Sequence, residues 1–278
     1  MRVLVTGGGG FIGQAVVAEL ERRGDKPEVF GLEHGGIQDA DAISEAVDGK
    51  GAVIHLAGLL GTHELFDTVH DAVDINIHGT VNVLDACVTT GAGYVGITMP
   101  QVFPSIYTAT KIASTRLATA YHHNYGLAVS HVRAFNVFGP GQAHGLGHPQ
   151  KFMPTFSVEA WARRPLPVWG DGTQTVDMIY VGDVARMLVD AIGHGDDVTF
   201  DGGTGEAWAV NSVAELVNTL TQSPAGIQHL PMRRGETPTR IVATGEGWDR
   251  LGWRPELRMR DIAATVKAYS PVRRMLAS

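Results

Sequence analysis

The sequence predicts an α/β fold: a doubly wound parallel sheet with a smaller C-terminal α/β lobe. Three observations carry this expectation. Short apolar runs alternate with helical stretches through the first half of the chain, as βαβ units require. The first run, Val3-Leu4-Val5, closes on Thr6 and four consecutive glycines that open a helix. Glycine supplies 35 of the 278 residues, with no collagen period or low-complexity tract to absorb them, so many sit in tight turns.

The elements follow in order. Residues 11–23 have helical spacing, with Phe11, Ile12, Val16, Val17 and Leu20 apolar and Gly24 ending the run. Residues 29–32 read as a second strand, 42–47 as a helix and 52–56 as a third strand. A long helical stretch is expected over 64–90, then a strand over 94–98, a helix over 107–125 and a strand over 128–133. After Asn136 the pattern changes to loops carrying Pro140, Pro149, Pro154, Pro165 and Pro167. Short elements follow, among them helices over 182–193 and 211–222. Residues 1–140, with returning segments near 175–205, are read as the sheet core, and 141–278 mainly as a second lobe. There are no internal repeats.

Composition narrows the function. With 44% hydrophobic and 18% charged residues, the chain is not disordered. A net charge of −7 and only short basic pairs (Arg22-Arg23, Arg163-Arg164, Arg233-Arg234, Arg273-Arg274) argue against nucleic acid. The single cysteine, Cys87, excludes an internal disulfide and any multi-cysteine metal site, and reads as a buried helix residue. No apolar run reaches the roughly 18 residues of a membrane span, and Met1–Val5 is not a signal peptide. The expectation is a protein without membrane contact in a reducing compartment, most simply the cytoplasm.

The glycine loop is specific in its physics. Thr6–Gly13 contains G-x-G-x-x-G through Gly8, Gly10 and Gly13, and G-x-x-G-x-x-G through Gly7, Gly10 and Gly13. It follows a strand and opens a helix, which is the context a dinucleotide fingerprint needs. Missing Cβ atoms let backbone approach a pyrophosphate, and the helix N-terminus offers unpaired N–H groups and a positive dipole end. An acid is then expected about 20 positions on, at the end of the second strand. Glu33 stands 20 residues after Gly13. A carboxylate there accepts both adenosine ribose hydroxyls and repels a 2′-phosphate, which favours NAD over NADP, with His34 beside it.

Further on, Tyr107-Thr108-Ala109-Thr110-Lys111 puts a tyrosine and a lysine at i and i+4, on one helical face. A nearby ammonium favours the phenolate, as does a positive nicotinamide ring, so a phenol of ordinary pKa near 10 could serve as a base near neutrality.

At this point the chain resembles an extended short-chain dehydrogenase/reductase of the NAD-dependent epimerase/dehydratase family, typified by nucleotide-sugar 4-epimerases. The resemblance rests on Thr6–Gly13, His55-Leu56-Ala57-Gly58, Asn76 with Gly79-Thr80, and Tyr107–Lys111. It continues through Arg133–Pro140, Gly170–Gln174, Asp177–Val181 with Asp183, and Leu251–Pro255, spanning nearly the whole chain. It implies a Rossmann-type core and the following roles. Tyr107 removes a hydroxyl proton while NAD takes the hydride from the same carbon. Lys111 lowers the tyrosine pKa and bonds the nicotinamide ribose. Gly7, Gly10, Phe11, Ile12 and Gly13 form the phosphate turn; Leu56, Ala57 and Gly58 line the cofactor channel; Asn76 supports the helix and its water network. Ile37 packs beside adenine, where the usual neighbouring acid is Gly36. On the substrate side, Asn136 meets the sugar or its phosphates, Lys151, Phe152 and Trp169 lie where the nucleotide base is held, and Arg233 binds the diphosphate.

Three departures stand out. The Ser or Thr that family members use to bond the reacting hydroxyl falls at Met99, whose thioether cannot donate. Thr98 is assigned that catalytic role, with Ser105, or a site without the group, as alternatives, and Met99 lines the substrate position. Pro100 and Gln101, in a stretch shortened before Tyr107, stand where sugar 4,6-dehydratases carry Asp and Glu, which argues against elimination by such a pair. Val176 replaces the family's Arg before Asp177, removing one phosphate contact. Elsewhere, His122-His123 reads as surface or dimer contact, His144 and His148 lack a third metal ligand, and His55 needs only packing. Trp161, Trp208, Trp248 and Trp253 are read as packing of the C-terminal lobe.

The expected function is an NAD-dependent epimerase of a nucleotide-activated sugar, working through transient oxidation at C4 to a 4-keto intermediate. An NAD(P)-dependent 4-keto-sugar reductase or dehydrogenase shares every catalytic residue and differs in consuming NADH. A catalytically silent dinucleotide-binding protein is the third reading. The expected partners are the nucleotide sugar and a second copy, in a homodimer formed through helices 64–90 and 107–125; no metal, nucleic acid or membrane is expected.

Overall fold

The structure is a computed structural model in which residues 1–100, 104–145 and 148–270 are described. Gln101 and Arg273-Arg274 therefore lie outside the described residues. In chain order the elements are β1 (Arg2–Thr6), α1 (Phe11–Arg22), β2 (Lys26–Phe30), α2 (Ala40–Val47), β3 (Ala52–His55) and α3 (Val69–Val73). A π-turn over Asp74–His78 leads into α4 (Gly79–Thr90), followed by β4 (Gly93–Thr98), α5 (Ile106–Tyr125), β5 (Val129–Ala134) and β6 (Asn136–Phe138). Then come α6 (Phe152–Trp161), β7 (Leu166–Trp169), β8 (Thr175–Val176), β9 (Met178–Tyr180), α7 (Val181–Ala191) and β10 (Asp196–Gly202). The chain closes with β11 (Trp208–Ala209), α8 (Val210–Thr221), β12 (Ile227–Leu230), α9 (Trp248–Leu251) and α10 (Met259–Ala268).

Six strands form one parallel sheet in the order β10-β5-β4-β3-β1-β2. The chain runs outward from β1 to β2 and then returns to the other side of β1 with β3. The strand order thus reverses between β1 and β3, and the crevice at the strands' carboxyl ends is where such sheets take ligands. The glycine loop leaves β1 there, and Leu56-Ala57-Gly58 leaves β3 beside it.

Period-two alternation places the apolar residues on both faces. Val3, Val5, Ile54, Val95 and Val132 pack under α1 and α7 with Val16, Leu20, Val184 and Leu188. Leu4, Val53, Tyr94 and Val129 pack under α2, α4 and α5 with Ile43, Val83, Leu84 and Ala118. Cys87 is buried in this second cluster. A third cluster joins α6, α8 and α10 to β7 through Met153, Phe156, Leu166, Val213 and Ile262. Among the described residues no helix is long and apolar enough to cross a membrane.

Three expectations about elements change. The second strand covers Lys26–Phe30 rather than 29–32, because it pairs with β1 from Arg2–Lys26 to Thr6–Phe30. As an edge strand it buries only Phe30, so backbone pairing rather than apolarity sets its extent; Leu32–His34 is instead a 3₁₀ turn. The long helix begins only at Val69 and opens into the π-turn around Asn76. Of the tryptophans, Trp161 and Trp208 pack in the third cluster, but Trp248 and Trp253 pack against the first. Their indole N–H groups donate to the Asp201 carbonyl and the Asp190 carboxylate, both at 2.7 Å, which ties the tail back to the sheet layer.

Candidate active site

The glycine loop is a tight cradle. Gly7 adopts φ +69° and its N–H donates to the Phe30 carbonyl at 2.9 Å. A Cβ on Gly7 would sit 2.8 Å from the Ala57 nitrogen, and one on Gly13 only 2.3 Å from the Gly7 carbonyl oxygen. No side chain caps α1 at Gly10, which leaves its first N–H groups facing the crevice. Phe11 approaches Gly139, and Ile12 and Leu56 pack on the first cluster.

Beside the cradle runs a buried strut of hydrogen bonds. Thr80 Oγ1 donates to the Asn76 carbonyl at 2.6 Å, so its one proton is committed. His55 Nε2, 3.1 Å from that oxygen, must then be the donor, and Nδ1 accepts from Thr6 Oγ1 at 2.7 Å. Burial, reinforced by the Lys111 charge, pushes the imidazole down to about 3, so His55 is neutral and does more than pack. The Asn76 side chain accepts from the Leu59 N–H at 2.7 Å and donates to the Leu59 carbonyl and to Thr110 Oγ1, both at 3.0 Å. It therefore clamps the segment after Gly58 to α5; a Cβ on Gly58 would meet its Oδ1 at 2.9 Å. π-Turns commonly mark functional sites, and this one turns Asn76 inward.

Ser105 starts α5 as its N-cap, accepting from the Thr108 N–H at 3.1 Å and donating to Thr108 Oγ1 at 3.0 Å. Its hydroxyl is thereby committed to the helix end. Tyr107 is half-buried and Lys111 is 6% exposed. Among the described residues Lys111 Nζ has no hydrogen bond or ion pair. Burial lowers the ammonium to about 8 and raises the phenol to about 12. The sequence expectation that Lys111 depresses the tyrosine thus differs from the protein alone: desolvation penalises both charged forms and dominates.

Thr98 also differs from expectation. Thr115 Oγ1 lies 2.8 Å from Thr98 Oγ1 and 2.9 Å from the Lys111 carbonyl. With Thr115 donating to that carbonyl, Thr98 donates to Thr115. Its hydroxyl is thereby committed to Thr115 of α5, eight residues beyond Tyr107, a rise of roughly 12 Å along the helix axis. Met99 follows directly, half-buried.

After β2, Glu33 sits on the 3₁₀ turn with its side chain 66% exposed. Its carboxylate lies over Gly31, where a Cβ would be 2.6 Å from Oε2. Ile37 is buried in the second cluster and fills the space above Gly79.

On the other side of the crevice, Asn136 opens β6, its N–H donating to the Asp177 carbonyl at 2.9 Å. Lys151 precedes α6; burial lowers its ammonium pKa, with Glu64, Arg233 and Glu236 as charged neighbours. Phe152 packs edge-on against Phe156. Arg233 stacks over Trp169 at 4.7 Å and pairs with Glu236 at 2.6 Å, so one face of the indole is covered by guanidinium. Asp177, which the sequence marks only as part of a motif, is fully buried and accepts from the Thr204, Gly205 and Ala243 N–H groups. It holds three loops together.

The model of the NAD dependent epimerase/dehydratase family matches residues 3–201. The chain belongs to this family. It is 28% identical over 228 residues to a UDP-glucuronate 4-epimerase of Thermodesulfobacterium geofontis, covering 76% of this chain and 69% of that one. It is 26% identical to a dTDP-glucose 4,6-dehydratase of Streptomyces niveus over 97% of this chain and 93% of that one. The fold superposes on a UDP-glucose 4-epimerase of Thermotoga maritima, solved with UDP-glucose, at a TM-score of 0.89 with 24% identity, covering 98% and 99% of the two chains.

NAD is the cofactor of the family, and the residues present fit it. The cradle admits no Cβ at Gly7 or Gly13, and the buried Lys111 ammonium has no hydrogen bond or ion pair among the described residues. Holding that ammonium has a price in stability. Its pKa falls from an ordinary 10.5 to about 8 on folding, so the folded chain binds fewer protons than the unfolded chain between those values. The group therefore destabilises the fold most fully below pH 8, and the penalty fades as pH rises toward 10.5. Lys111→Met is expected to raise stability at pH 7 by about 3 kcal/mol while abolishing turnover. Denaturant melts at pH 7 and pH 10 check this: the gain should shrink at the higher pH.

Proposed function

We propose that this protein is an NAD-dependent epimerase of a nucleotide-activated sugar, inverting C4 through a 4-keto intermediate. The observation that carries the reading is Lys111: a buried ammonium with no hydrogen bond or ion pair among the described residues, one turn after Tyr107 on the helix that follows β4. NAD, when bound, supplies the hydride acceptor and a positive ring near the phenol. Gly7, Gly10, Phe11, Ile12 and Gly13 hold its pyrophosphate at the α1 N-terminus; Leu56, Ala57 and Gly58 line its path. Glu33 accepts the adenosine ribose hydroxyls and Ile37 backs the adenine. Lys111 donates to the nicotinamide ribose, and Asn76 keeps the β3 exit and α5 in register.

Tyr107 takes the proton of the C4 hydroxyl as the hydride leaves that carbon, and returns it after the keto sugar has turned over. The neighbouring positive charges offset the desolvation that holds the free phenol near 12. Thr98 acts through Thr115 and the Lys111 carbonyl, as a positioning residue. Asn136, Met99, Lys151, Phe152, Trp169 and Arg233 line the substrate side, with Arg233 exchanging Glu236 for phosphate. Pro100 offers no acid for a 4,6-elimination, which favours epimerisation over dehydration. A homodimer through α4 and α5 fits the exposed Val88 and Tyr125 on those helices.

The test is a panel of nucleotide sugars incubated with the purified protein. The C4 epimer should form with no net change in NADH. Stoichiometric consumption of NADH identifies a reductase instead, and binding of cofactor without any turnover identifies a silent dinucleotide-binding protein.

A further inference from the structure

One nitrogen in the turn after β2 serves two partners that cannot both be satisfied. His34 Nδ1 lies 3.2 Å from the Gly31 N–H and 3.3 Å from a Glu33 carboxylate oxygen. The N–H needs a lone pair at Nδ1, and the carboxylate needs a proton there. Neutral His34 therefore closes the turn on Gly31 and leaves the Glu33 charge unopposed. Protonated His34 gives up Gly31 and pairs with Glu33. The ring is held for either role by stacking on Phe30, with centroids 5.4 Å apart at 25°.

We propose that His34 sets the selectivity between unphosphorylated and 2′-phosphorylated dinucleotide, with the Glu33–His34 pair as a proton-dependent filter. This rests on the reading that Glu33 meets the adenosine ribose. With His34 neutral, the carboxylate repels a 2′-phosphate at full strength. With His34 protonated, the pair is charge-balanced and an imidazolium N–H stands beside the ribose, where it attracts that phosphate. Among the described residues Asp39, the N-cap of α2, also faces the turn, with a carboxylate oxygen 3.2 Å from where a Cβ on Gly35 would be. Phe30, from β2, carries no charge.

The experiment measures Kd for NADH and NADPH by fluorescence titration between pH 5.5 and 8, on the wild type, His34→Asn and Glu33→Gln. Asn keeps an acceptor for the Gly31 N–H and cannot take a proton. The 2′-phosphate has its own second ionisation near 6, common to all three proteins, so the comparison is between proteins and not between pH values alone. From pH 8 to 5.5 the NADPH/NADH ratio of Kd values should fall roughly fivefold more in the wild type than in His34→Asn, the size of one charge interaction at about 4 Å in water. Parallel profiles in the two proteins would overturn the proposal. Glu33→Gln separates the two readings: at pH 8 it should lower the ratio. If it does not, the ribose role of Glu33 fails; if it does while the profiles stay parallel, only the role of His34 fails.

Discussion

Tyr107→Phe is expected to lower epimerisation by roughly 10²–10⁴-fold, the usual worth of a positioned general base, with dinucleotide binding retained. The substitution removes one oxygen and leaves the ring. Among the described residues that phenol oxygen has no hydrogen-bond partner, so its loss strands no buried donor or acceptor, and thermal stability should be unchanged within the scatter of surface mutations. Burial already holds the phenol at about 12 in the protein alone, so its catalytic competence depends on the charges assembled around it. Thr98→Val is the natural contrast. The Thr98 hydroxyl bonds Thr115 at 2.8 Å, so its loss loosens β4 from α5 and should cost far less turnover than loss of the phenol. Equal losses in the two variants would place Thr98 on the substrate. The check is kcat and KM for both variants against the same nucleotide sugar, with NADH binding measured in parallel.

Gly13→Ala should act at the glycine cradle. The added methyl would stand 2.3 Å from the Gly7 carbonyl oxygen and 2.6 Å from the Gly8 Cα. Both neighbours are backbone, and neither can rotate away. Either α1 lifts from the sheet, disturbing Val16 and Leu20 in the first cluster, or the cradle opens. The expected loss is about 3 kcal/mol, the upper part of the usual range for overpacking a close contact, and saturable NADH binding should disappear. Gly9→Ala is the control, because a Cβ there meets nothing within 4 Å; it should keep stability and binding. Denaturant melts and NADH titrations of the two variants decide the matter.

These sites were legible in the sequence for a shared reason. A glycine needed for close approach has no substitute, and an i, i+4 pair on a helix has its geometry set by the backbone alone. The core strands were legible because Val3-Leu4-Val5 and Ala52-Val53-Ile54 are buried on both faces and so read as continuous apolar runs. What escaped depended on partners distant in the chain or on backbone pairing without an apolar signal. Lys26-Pro27-Glu28 carries no strand-like pattern, yet it pairs along β1. The π-turn follows from Asn76 bonding Leu59 and Thr110, neither of which is a local neighbour. The direction of the Thr98 hydroxyl is decided by Thr115, the tautomer of His55 by Thr80, and the covered face of Trp169 by Arg233, far along the chain. Each is a side-chain commitment that only the assembled fold reveals.

The central claim is that one carbon loses and regains the same hydrogen above Tyr107. The direct measurement is turnover of a nucleotide sugar carrying deuterium at C4, followed by mass spectrometry and proton NMR of the product. The account predicts the C4 epimer with its deuterium retained and no NADH accumulating. Deuterium lost to water, or a C4 epimer formed equally well by Tyr107→Phe, would contradict it.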